Sequence, residues 1–514
     1  MKILLVYPNM RGMNMLPPAI GLFSALLKQR GHQVDLFDAT DYPNPEEDSI
    51  NSDKLKEENL NVRAFDDTKL KVSWVEENVF IAFKKKIQFF SPDLVAMSCT
   101  EDMFPIGISL LRSYPVDVPV IMGGVFPTFA KDLTLSHEEV DMICVGEGEN
   151  LIVELCERME RGVSYDDIPG LWLKQKNGTI RRNPMGHVVD MNQNPKLDLS
   201  IFEEGRLYRP MQGRVWRMFP LETHRGCPYQ CAYCNSPSQQ YMYKQETESS
   251  FFRKKKFDKI REEIILFRDK YNVEALYFWA DTFFAYSRKE FDEFIEMYSE
   301  FKIPFWCQTR PETVTYERIK KLADIGMFRM AFGVEHGNAE FRRKYIKRNV
   351  SNDFIIKAMH EVNRVGMPYS VNNILGFPYE TRELTFDTIE LNQKIKADGA
   401  NAYSYSPFHG TPLRKMAEDA GFIEKGLIAR SITCPTVLDM PQYPKEQIEG
   451  MRRCFNLYVG LPKKRWGEIH EAEKLTVEGD RIWRNLRDEA SSNNAKLEWK
   501  NNSTVPLEEL AMGA

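Results

Sequence analysis

Short apolar runs recur along the first third of the chain and are separated by amphipathic stretches. Apolar strands with helices between them indicate a parallel sheet that is covered on both faces. We therefore expect an α/β domain over residues 1–165. The pattern predicts strands at Ile3–Tyr7, Val34–Phe37, Leu94–Ser98, Val118–Met122 and Met142–Val145, and helices at Ile20–Gln29 and Phe80–Phe90.

Two other segments of this part of the chain have a different pattern. Residues 45–73 are rich in Asp, Glu, Lys and Asn, which favours a solvated insertion over a binding segment. Residues 171–182 consist of two strand-like runs around Asn177-Gly178, which predicts a β-hairpin. We place this hairpin in a linker over residues 166–215.

Strand and helix patterns alternate again between residues 216 and 415. This repeat, with polar residues at the strand ends, predicts a (β/α)6-type partial TIM barrel. A mainly helical region is expected over residues 416–514. The strands are predicted at Ala275–Trp279, Phe305–Gln308, Phe328–Gly333, Ser370–Leu375 and Asn401–Ser406, and the helices at 256–269, 289–300, 315–325, 351–364 and 383–396.

Composition excludes several classes of protein. A chain of 514 residues is too long to fold around one compact core, so several domains are expected. Its net charge of −5 provides no overall positive field that would attract nucleic acid. No apolar run reaches the roughly 18 residues of a transmembrane helix. The N-terminus MKILLVYPN lacks the apolar length of a signal peptide. We therefore expect a reducing cytoplasm, where clustered cysteines bind metal more often than they form disulfides.

Three of the nine cysteines, Cys227, Cys231 and Cys234, lie within the stretch RGCPYQCAYCN. A structural zinc site needs four protein ligands, and His224 is the only imidazole nearby. A [4Fe–4S] cluster held by three thiolates would leave one iron open for a small molecule. At this point a zinc knuckle with His224 and a chance grouping remain alternatives.

The spacing of these cysteines, with Tyr233 before the last one, resembles the signature of the radical S-adenosylmethionine (SAM) superfamily. Residues 1–165 are similar to the Rossmann-like cobalamin-binding domain that precedes the radical SAM core in one large subclass. The resemblance covers residues 1–415 in the expected order. It is carried by LLVYPN (4–9), PPAIGLFSALLKQRGHQVDLFDA (17–39), PDLVAMSCT (92–100), VPVIMGGVFPTF (118–129), VDMICVGEGE (140–149), LYFWADTFF (276–284), FWCQTRPE (305–312), FGVEHGNAEFRR (332–343), NNILGFPYET (372–381) and SPFHGTPL (406–413).

The resemblance implies roles for residues of the second domain. The three cysteines would hold a [4Fe–4S] cluster, and Tyr233 would pack beside the adenine of SAM. His336 and His409 could face the substrate or be structural. Polar groups at strand ends would contact SAM, and a turn glycine would let the backbone approach its nucleoside; these residues are Asp281, Gln308, Arg310, Glu335 and Gly376.

In the first domain, polar and glycine residues follow three predicted strands, where ligands of parallel sheets bind. The resemblance implies that they hold cobalamin. They are Ser98, Thr100, Gly123, Gly124, Gly146, Glu147, Gly148 and Glu149. The loop YPNMRGMN (7–14) has no histidine, so we expect cobalt without a histidine ligand. Met10, Met13 or a neighbouring apolar group would shield its lower face.

Two cofactors in one chain imply methyl transfer. In such enzymes one SAM methylates cobalamin, and a second SAM yields the 5′-deoxyadenosyl radical that abstracts hydrogen from an unactivated carbon, which then takes the methyl group. The alternatives are a cyclase or rearrangement enzyme of the anaerobic oxidative cyclase type, and a non-catalytic cobalamin sensor. A methylthiotransferase is disfavoured because Cys99, Cys144 and Cys156 look like core residues. The expected partners are a small-molecule or natural-product substrate and a low-potential donor such as flavodoxin or ferredoxin.

Overall fold

A computed structural model describes residues 1–43, 52–70 and 75–501 of the chain. It contains two seven-stranded sheets, one in each half of the chain. The first sheet has the strand order β2-β1-β3-β4-β5-β6-β7, in which the first five strands are parallel. Its strands are β1 Lys2–Tyr7, β2 Gln33–Asp38, β3 Leu94–Ser98, β4 Val120–Gly123, β5 Met142–Cys144, β6 Leu171–Lys174 and β7 Ile180–Arg182.

Helices cover both faces of the first sheet, as the non-alternating apolar strands predict. Strands β1, β3, β4 and β5 are almost entirely buried, so side chains on both of their faces need apolar partners. The helices of this domain are α1 Pro18–Gln29, α2 Ser52–Glu58, α3 Val79–Phe90, α4 Phe104–Ser113, α5 Val125–Phe129, α6 Lys131–Leu135 and α7 Glu149–Glu160. The predicted Rossmann-like architecture is confirmed.

The hairpin at residues 171–182 forms as predicted, but it belongs to the first sheet rather than to a linker. Strand β6 pairs antiparallel with β5, and β7 pairs antiparallel with β6. Pairing of Leu171–Lys174 with β5 covers the open edge of the parallel sheet. Strand pairing in the first sheet therefore continues past residue 165, and the domain boundary near that residue stays a prediction.

The second sheet has the order β16-β15-β14-β13-β12-β9-β8, and all its pairs are parallel except β8 with β9. It curls into a half-barrel, which confirms the predicted partial barrel, and its first strand begins before residue 216. A two-stranded ribbon, β10–β11, lies beside it. The strands are β8 Tyr208–Met211, β9 Arg214–Glu222, β10 His224–Arg225, β11 Arg253–Lys254, β12 Ala275–Trp279, β13 Phe305–Thr309, β14 Met327–Glu335, β15 Tyr369–Leu375 and β16 Gly399–Ser404.

Helices cover the outer face of the half-barrel and continue to the C-terminal region. Several begin with a side-chain cap, as Ser287 does in a full capping box with Glu290 at the start of α10. The helices are α8 Asn235–Thr247, α9 Phe257–Tyr271, α10 Arg288–Tyr298, α11 Tyr316–Asp324, α12 Ala339–Phe341, α13 Asn352–Val365, α14 Arg382–Ile395, α15 Pro412–Asp419, α16 Lys445–Gly460, α17 Trp466–Ala472 and α18 Val477–Asn501. Among the described residues, no helix combines the length and apolar character needed to cross a membrane.

Residues 52–70 bridge the two edge strands of the half-barrel, and the prediction of a solvated insertion is wrong for this part of 45–73. At β16, the Asn61 amide donates to the Ala402 carbonyl (3.3 Å) and accepts from the Ala402 amide (3.2 Å). At the opposite edge, the Ala64 carbonyl lies beside the β8–β9 turn at Gly213. Polar side chains dominate the composition, yet Leu70 is 1% exposed and anchors the bridge.

We predict that Asn61→Ala exposes the edge of β16. The buried Ala402 amide and carbonyl would lose their partner, which costs about 1–3 kcal/mol per unsatisfied group. Hydrogen exchange of the 399–404 peptide is expected to accelerate, while Val62→Ala, at a neighbouring exposed position, leaves it unchanged. Equal exchange in both variants would contradict the bridging role of this segment.

Candidate active site

A cavity of about 400 Å³ lies between the two domains. On one side it is bounded by α1, the start of α7 and the carboxyl ends of β3, β4 and β5; on the other by residues that end β9 and β12. The lining is mainly apolar, and charged groups gather on the side of the second domain. Because parallel strands bring their carboxyl ends to one edge, residues far apart in sequence meet here.

The predicted cobalamin-binding residues of the first domain line this interdomain cavity, with one exception. Thr100 is exposed, and its hydroxyl donates to the carboxylate of Asp102. Gly124 and Gly146 have φ angles of 113° and 91°, which residues with a side chain rarely adopt. A Cβ on Gly124 would lie 2.3 Å from the Cys99 carbonyl oxygen, so the protein's own packing already requires a glycine there.

The two methionines proposed to shield cobalt lie in a tight turn after β1. Met10 is buried in the core of the first domain, and Met13 is half-buried against it. The Asn9 amide fixes this turn by donating to the Met13 carbonyl (2.9 Å) and to the Thr40 hydroxyl (2.8 Å). Shielding of the lower face of cobalt by Met10 or Met13 stays a prediction.

The three clustered cysteines lie on the loop between β10 and α8, and each has a free thiol. Cys234 is the N-cap of α8, its Sγ accepting from the Ser236 amide at 3.5 Å. Burial raises the pKa of Cys234 to about 12, and the charges of Asp281, Cys231 and Cys227 add to this. Burial also raises the pKa of Cys227 and Cys231, so all three thiols are desolvated, and three free thiols on one loop are the ligand type of an iron–sulfur cluster.

The zinc alternative needs His224 as a fourth ligand beside the three thiols. His224 is held elsewhere: its Nδ1 lies 2.9 Å from the Thr223 hydroxyl, and its ring stacks on Phe252 and packs against Tyr286. Burial lowers its pKa to about 3, so the imidazole is neutral.

Arg310 links the cysteine loop to a buried network of charges. Its Nη1 donates to Cys231 Sγ (3.5 Å), its Nη2 donates to Glu312 (2.6 Å), and its guanidinium stacks on Tyr229. Arg348, 1% exposed on its side chain, donates to both oxygens of Glu312 and lies 3.4 Å from Glu335. Although burial opposes it, Arg348 and Arg310 lower the pKa of Glu312 to about 2, so this carboxylate is ionised.

Glu335 occupies a strained position at the end of β14. Its φ of 72° lies in the left-handed region that favours glycine, and its carboxylate is buried. Burial raises the pKa of Glu335, while Arg348 acts in the opposite direction. A Cβ on Gly333 would lie 2.2 Å from Glu335 Oε1, so the glycine makes room for this side chain.

The other predicted SAM contacts lie around the same loop. The ring centroids of Tyr233 and Phe377 lie 6.1 Å apart. The Gln308 side-chain amide donates to the Ala280 carbonyl (3.4 Å). Asp281 faces the cavity, and burial by the surrounding protein raises its pKa. Gly376 has a φ of 79°, and its backbone amide donates to the Glu380 carboxylate (2.6 Å), which restrains the conformation of this turn. Asp281 thus lines the interdomain cavity, whereas Gly376 packs against Ile448 of α16, and the roles of these residues stay predictions.

Both histidines that could face the substrate have structural partners. His336 is fully buried, and its Nδ1 accepts from the Asn338 amide (3.0 Å). His409 Nδ1 lies 2.6 Å from the Glu101 carboxylate, which also accepts from the His409 amide (2.7 Å). Because Glu101 follows β3 and His409 follows β16, this pair joins the two domains rather than facing a substrate.

The turn Gly146–Glu149 of the first domain holds both ends of the cysteine loop. Arg225, two residues before Cys227, donates to Glu147 (2.9 Å) and to Glu149 (2.6 Å). Beyond the loop, the Tyr243 hydroxyl on α8 accepts from the Glu147 amide (2.7 Å). The two carboxylates predicted to contact cobalamin are therefore engaged with the loop. The sequence analysis missed Arg225, Glu312 and Arg348. Arg225 and Glu312 lie within the quoted stretches RGCPYQCAYCN and FWCQTRPE, but no spacing reveals the partner of a charged side chain, and Arg348 lies outside every quoted stretch.

In this protein a Rossmann-like domain lies next to a half-barrel that carries the cysteine loop. This arrangement is that of an enzyme that combines a cobalamin-binding domain with a radical SAM core. Family models agree, since the B12 binding domain matches residues 63–156 and the radical SAM superfamily matches residues 221–391. The chain is therefore a radical SAM protein with a B12-binding domain ahead of its core. The expected cofactor set and the predicted enzyme class are thereby confirmed.

Two relatives match over most of their length. An uncharacterized methyltransferase of Pyrococcus horikoshii is 25% identical over 420 residues, which cover 80% of this chain and 88% of the relative. Cytidylyl-2-hydroxyethylphosphonate methyltransferase of Streptomyces wedmorensis is 19% identical over 455 residues, covering 79% of each chain.

Solved structures share the fold along nearly the whole chain. The radical SAM methyltransferase TsrM from Kitasatospora setae, with cobalamin and a [4Fe–4S] cluster bound, superposes with a TM-score of 0.63 at 14% identity, covering 95% of this chain and 99% of TsrM. The cobalamin-dependent radical enzyme OxsB, with aqua-cobalamin and SAM bound, gives a TM-score of 0.61 at 14% identity, covering 99% of this chain and 74% of OxsB.

We predict that Cys231→Ala abolishes cluster assembly and leaves cobalamin binding intact, because Cys231 contacts Arg310 of the second domain and is not among the residues that line the interdomain cavity. After anaerobic reconstitution, iron and sulfide content and absorbance near the visible sulfur-to-iron band measure the cluster. Cys156→Ala, which removes a buried thiol of the first domain, is the matched control and should retain the cluster. Full iron content in Cys231→Ala would refute the assignment.

We predict that Arg225→Gln loosens the contact between the two domains. Removing one partner of a buried ion pair costs about 3–5 kcal/mol of folding free energy. We expect no more than this cost here, because Arg253 still pairs with Glu147. The thermal midpoint should fall, and hydrogen exchange should accelerate in both 146–149 and 225–234. The double variant Arg225→Gln, Glu149→Gln should recover part of the loss, since it removes the uncompensated charge; simple additivity of the two changes would argue against direct coupling.

Proposed function

We propose that this protein is a methyltransferase that moves a methyl group from SAM, by way of cobalamin, to an unactivated carbon of a small molecule. The observation that carries the proposal is the cavity that runs from the strand ends of the B12-binding domain to Arg225 and Gly226, just before the first cysteine of the loop, and to Asp281. Reactions that use two cofactors in sequence need both within reach of one substrate. The methyltransferase names of the relatives support the same function.

The residues at the cavity suit these cofactors. The apolar slot between α1 and α7 fits the nucleotide tail of cobalamin, and Ser98 offers a hydroxyl at its end. Cys227, Cys231 and Cys234 would hold the cluster. When bound, the cluster and SAM supply radical chemistry, and cobalamin supplies a transferable methyl group; the protein contributes binding, orientation and exclusion of water.

Charged side chains around the loop would orient SAM. The Arg310 guanidinium beside Cys231 offers donors to a carboxylate, and its ion pair with Glu312 fixes the fork in place. Asp281 and Glu335 offer acceptors to an ammonium group or a ribose. Burial raises the pKa of both carboxyls, so each would ionise more readily with a cation beside it.

A second cluster, as a methylthiotransferase would need, has no support in the first domain. Cys99, Cys144 and Cys156 are buried among apolar side chains of the two hydrophobic cores of the first domain. Thiols of this kind pack as small apolar groups. We therefore propose one cluster per chain.

The same chemistry implies an electron source and a compartment. Cleavage of SAM needs a strong reductant, so we propose a low-potential donor of the flavodoxin or ferredoxin type. The three clustered cysteines have free thiols, which suits a reducing compartment such as the cytoplasm.

The test is anaerobic reconstitution with iron, sulfide and hydroxocobalamin, followed by reduction with SAM that carries a deuterated methyl group. We expect labelled methylcobalamin, S-adenosylhomocysteine and 5′-deoxyadenosine together. The Cys231→Ala protein, loaded with cobalamin, should yield no deoxyadenosine.

Each other outcome would point to a different function. Deoxyadenosine without labelled methylcobalamin would contradict methyl transfer and favour a cyclase or rearrangement enzyme. Neither product from a protein with an intact cluster would contradict enzymatic function and favour a cobalamin sensor.

A further inference from the structure

A short turn of the second domain carries three exposed cations. It follows α12 as one π-helical turn, Arg342–Ile346, and ends at Lys347 with a φ of 62°. Turns of the π type occur frequently at functional sites. We call residues 343–347 the basic turn; its exposed cations are Arg343, Lys344 and Lys347. Because five consecutive residues span at most about 18 Å, one partner surface can cover all three.

The basic turn packs against the cysteine loop. The Ala232 amide, between the second and third cysteines, donates to the Ile346 carbonyl of the turn (3.0 Å). The side chains of Ala232 and Ile346 are buried in the same apolar cluster. Burial raises the pKa of Cys231, and Arg310 and Arg348 act in the opposite direction, which indicates that Arg348, one residue past the turn, lies near this thiol. The turn is therefore a direct neighbour of the loop that would hold the cluster.

Two buried arginines fix the ends of the basic turn. Arg342 is fully buried and donates to the His336 carbonyl (2.6 Å). Arg348 donates to the Gly333 carbonyl (2.8 Å) and pairs with Glu312 (2.8 Å). Because the backbone is anchored on both sides, the turn needs little ordering when a partner binds to it.

The exposed cations of the basic turn lack acidic partners, in contrast to another basic run of the chain. Among the described residues, no carboxylate pairs with any of the three, and the Lys344 ammonium lies 4.8 Å from the ring centroid of Tyr345. Residues 253–255, by comparison, are neutralised by three glutamates: Glu147, Glu290 and Glu263. Glu340 is the only acid between residues 337 and 352 of the sequence. The turn thus presents positive charge that the protein itself does not neutralise.

The rest of the molecule makes this charge selective for an acidic partner. The net charge of −5 on the whole chain repels an acidic protein, whereas the uncompensated cations attract it to one place. Beside them, Tyr379 is 41% exposed and stacks on Tyr345, with 5.6 Å between the ring centroids. Aromatic side chains are enriched in protein interfaces. No residue of the basic turn lines the interdomain cavity, so a partner bound here leaves the cavity lining free.

We propose that the basic turn, together with Tyr379, is the docking surface for the electron donor of this protein, a small acidic carrier of the flavodoxin type. Carboxylates around the flavin of the carrier would meet the three cations, and the Tyr379 ring would pack against the edge of the flavin. One electron would leave the reduced flavin and enter the oxidised cluster; no bond forms or breaks. This inference rests on the proposed function only in that the cysteine loop holds a cluster that a protein reduces.

The test measures docking and electron transfer separately on the reconstituted holoenzyme. Calorimetry follows the binding of oxidised flavodoxin, and the EPR signal of the reduced cluster in rapidly frozen samples follows reduction by reduced flavodoxin. Charge steering raises association rates by about 10- to 1,000-fold. We therefore expect the affinity and the bimolecular rate constant to fall roughly tenfold or more in the turn variant, which combines Arg343→Gln, Lys344→Gln and Lys347→Gln.

Three controls isolate the docking step. Dithionite, a small reductant that needs no docking surface, should reduce the cluster equally fast in the turn variant and the wild type. The wild-type rate with flavodoxin should fall steeply between about 0.01 M and 1 M salt, as the Debye length shrinks from about 30 Å to about 3 Å, and that of the turn variant should change little. An outer-face variant removes three exposed cations of α9, α10 and α11 and should bind flavodoxin as the wild type does; it combines Lys270→Gln, Lys289→Gln and Lys320→Gln.

Four results would overturn the proposal. Equal affinity and rate in the turn variant and the wild type, or an equal loss in the turn and outer-face variants, overturns the docking surface. Slower reduction of the turn variant by dithionite overturns it too, because the turn would then act on the cluster itself. Turn-dependent reduction by a ferredoxin, without binding of flavodoxin, overturns the assignment of the carrier.

Should the turn variant not fold, Lys344→Gln alone takes its place. A severalfold loss of flavodoxin affinity in this single variant supports the docking surface, and an unchanged affinity overturns it.

Failure of the docking surface and failure of the proposed function are distinguishable on the same wild-type preparation. Methylcobalamin formation from labelled SAM is measured with dithionite and needs no carrier. Methylcobalamin without turn-dependent binding of flavodoxin would contradict the docking surface alone. Turn-dependent binding and cluster reduction, without methylcobalamin, would contradict the proposed function alone.

Discussion

The contact between the Gly146–Glu149 turn and Arg225 is the interaction on which the geometry of the site depends. It joins the strand end that lines the interdomain cavity to the residue that begins the cysteine loop. Glu147 and Glu149 are nearly buried, so their charges require the guanidinium, and the two domains cannot separate here without exposing them. The Glu101–His409 pair forms a second connection of the same kind.

Around this contact, the two sheets contribute different properties. The first provides an apolar slot with glycine-rich turns at its strand ends, and the second provides thiols and charges on an inner face. The segment 52–70 adds a third element, because it contacts β16 at one edge of the half-barrel and the β8–β9 turn at the other. The interdomain cavity itself is lined by residues of both domains.

The buried network around Arg348 shows how the second domain keeps its polar groups in place. Glu312, Glu335 and Arg310 all depend on one almost inaccessible guanidinium, and Glu335 is held in a strained backbone conformation. Strain of this kind persists only where the surrounding contacts fix it. Such preorganisation suits a site that must orient a reactive cofactor without water.

The sequence by itself determined the two α/β domains, the half-barrel and the three-cysteine loop, because strand periodicity and motif spacing are local properties of the chain. It also placed Asp281, Arg310 and Glu335 near that loop, since parallel strands share one edge. Only the tertiary structure decided that residues 52–70 are part of the fold, that the 171–182 hairpin completes the first sheet, and that Glu147 and Glu149 bind Arg225. These features depend on contacts between residues far apart in sequence, and a local pattern of hydrophobic and polar positions contains no record of them.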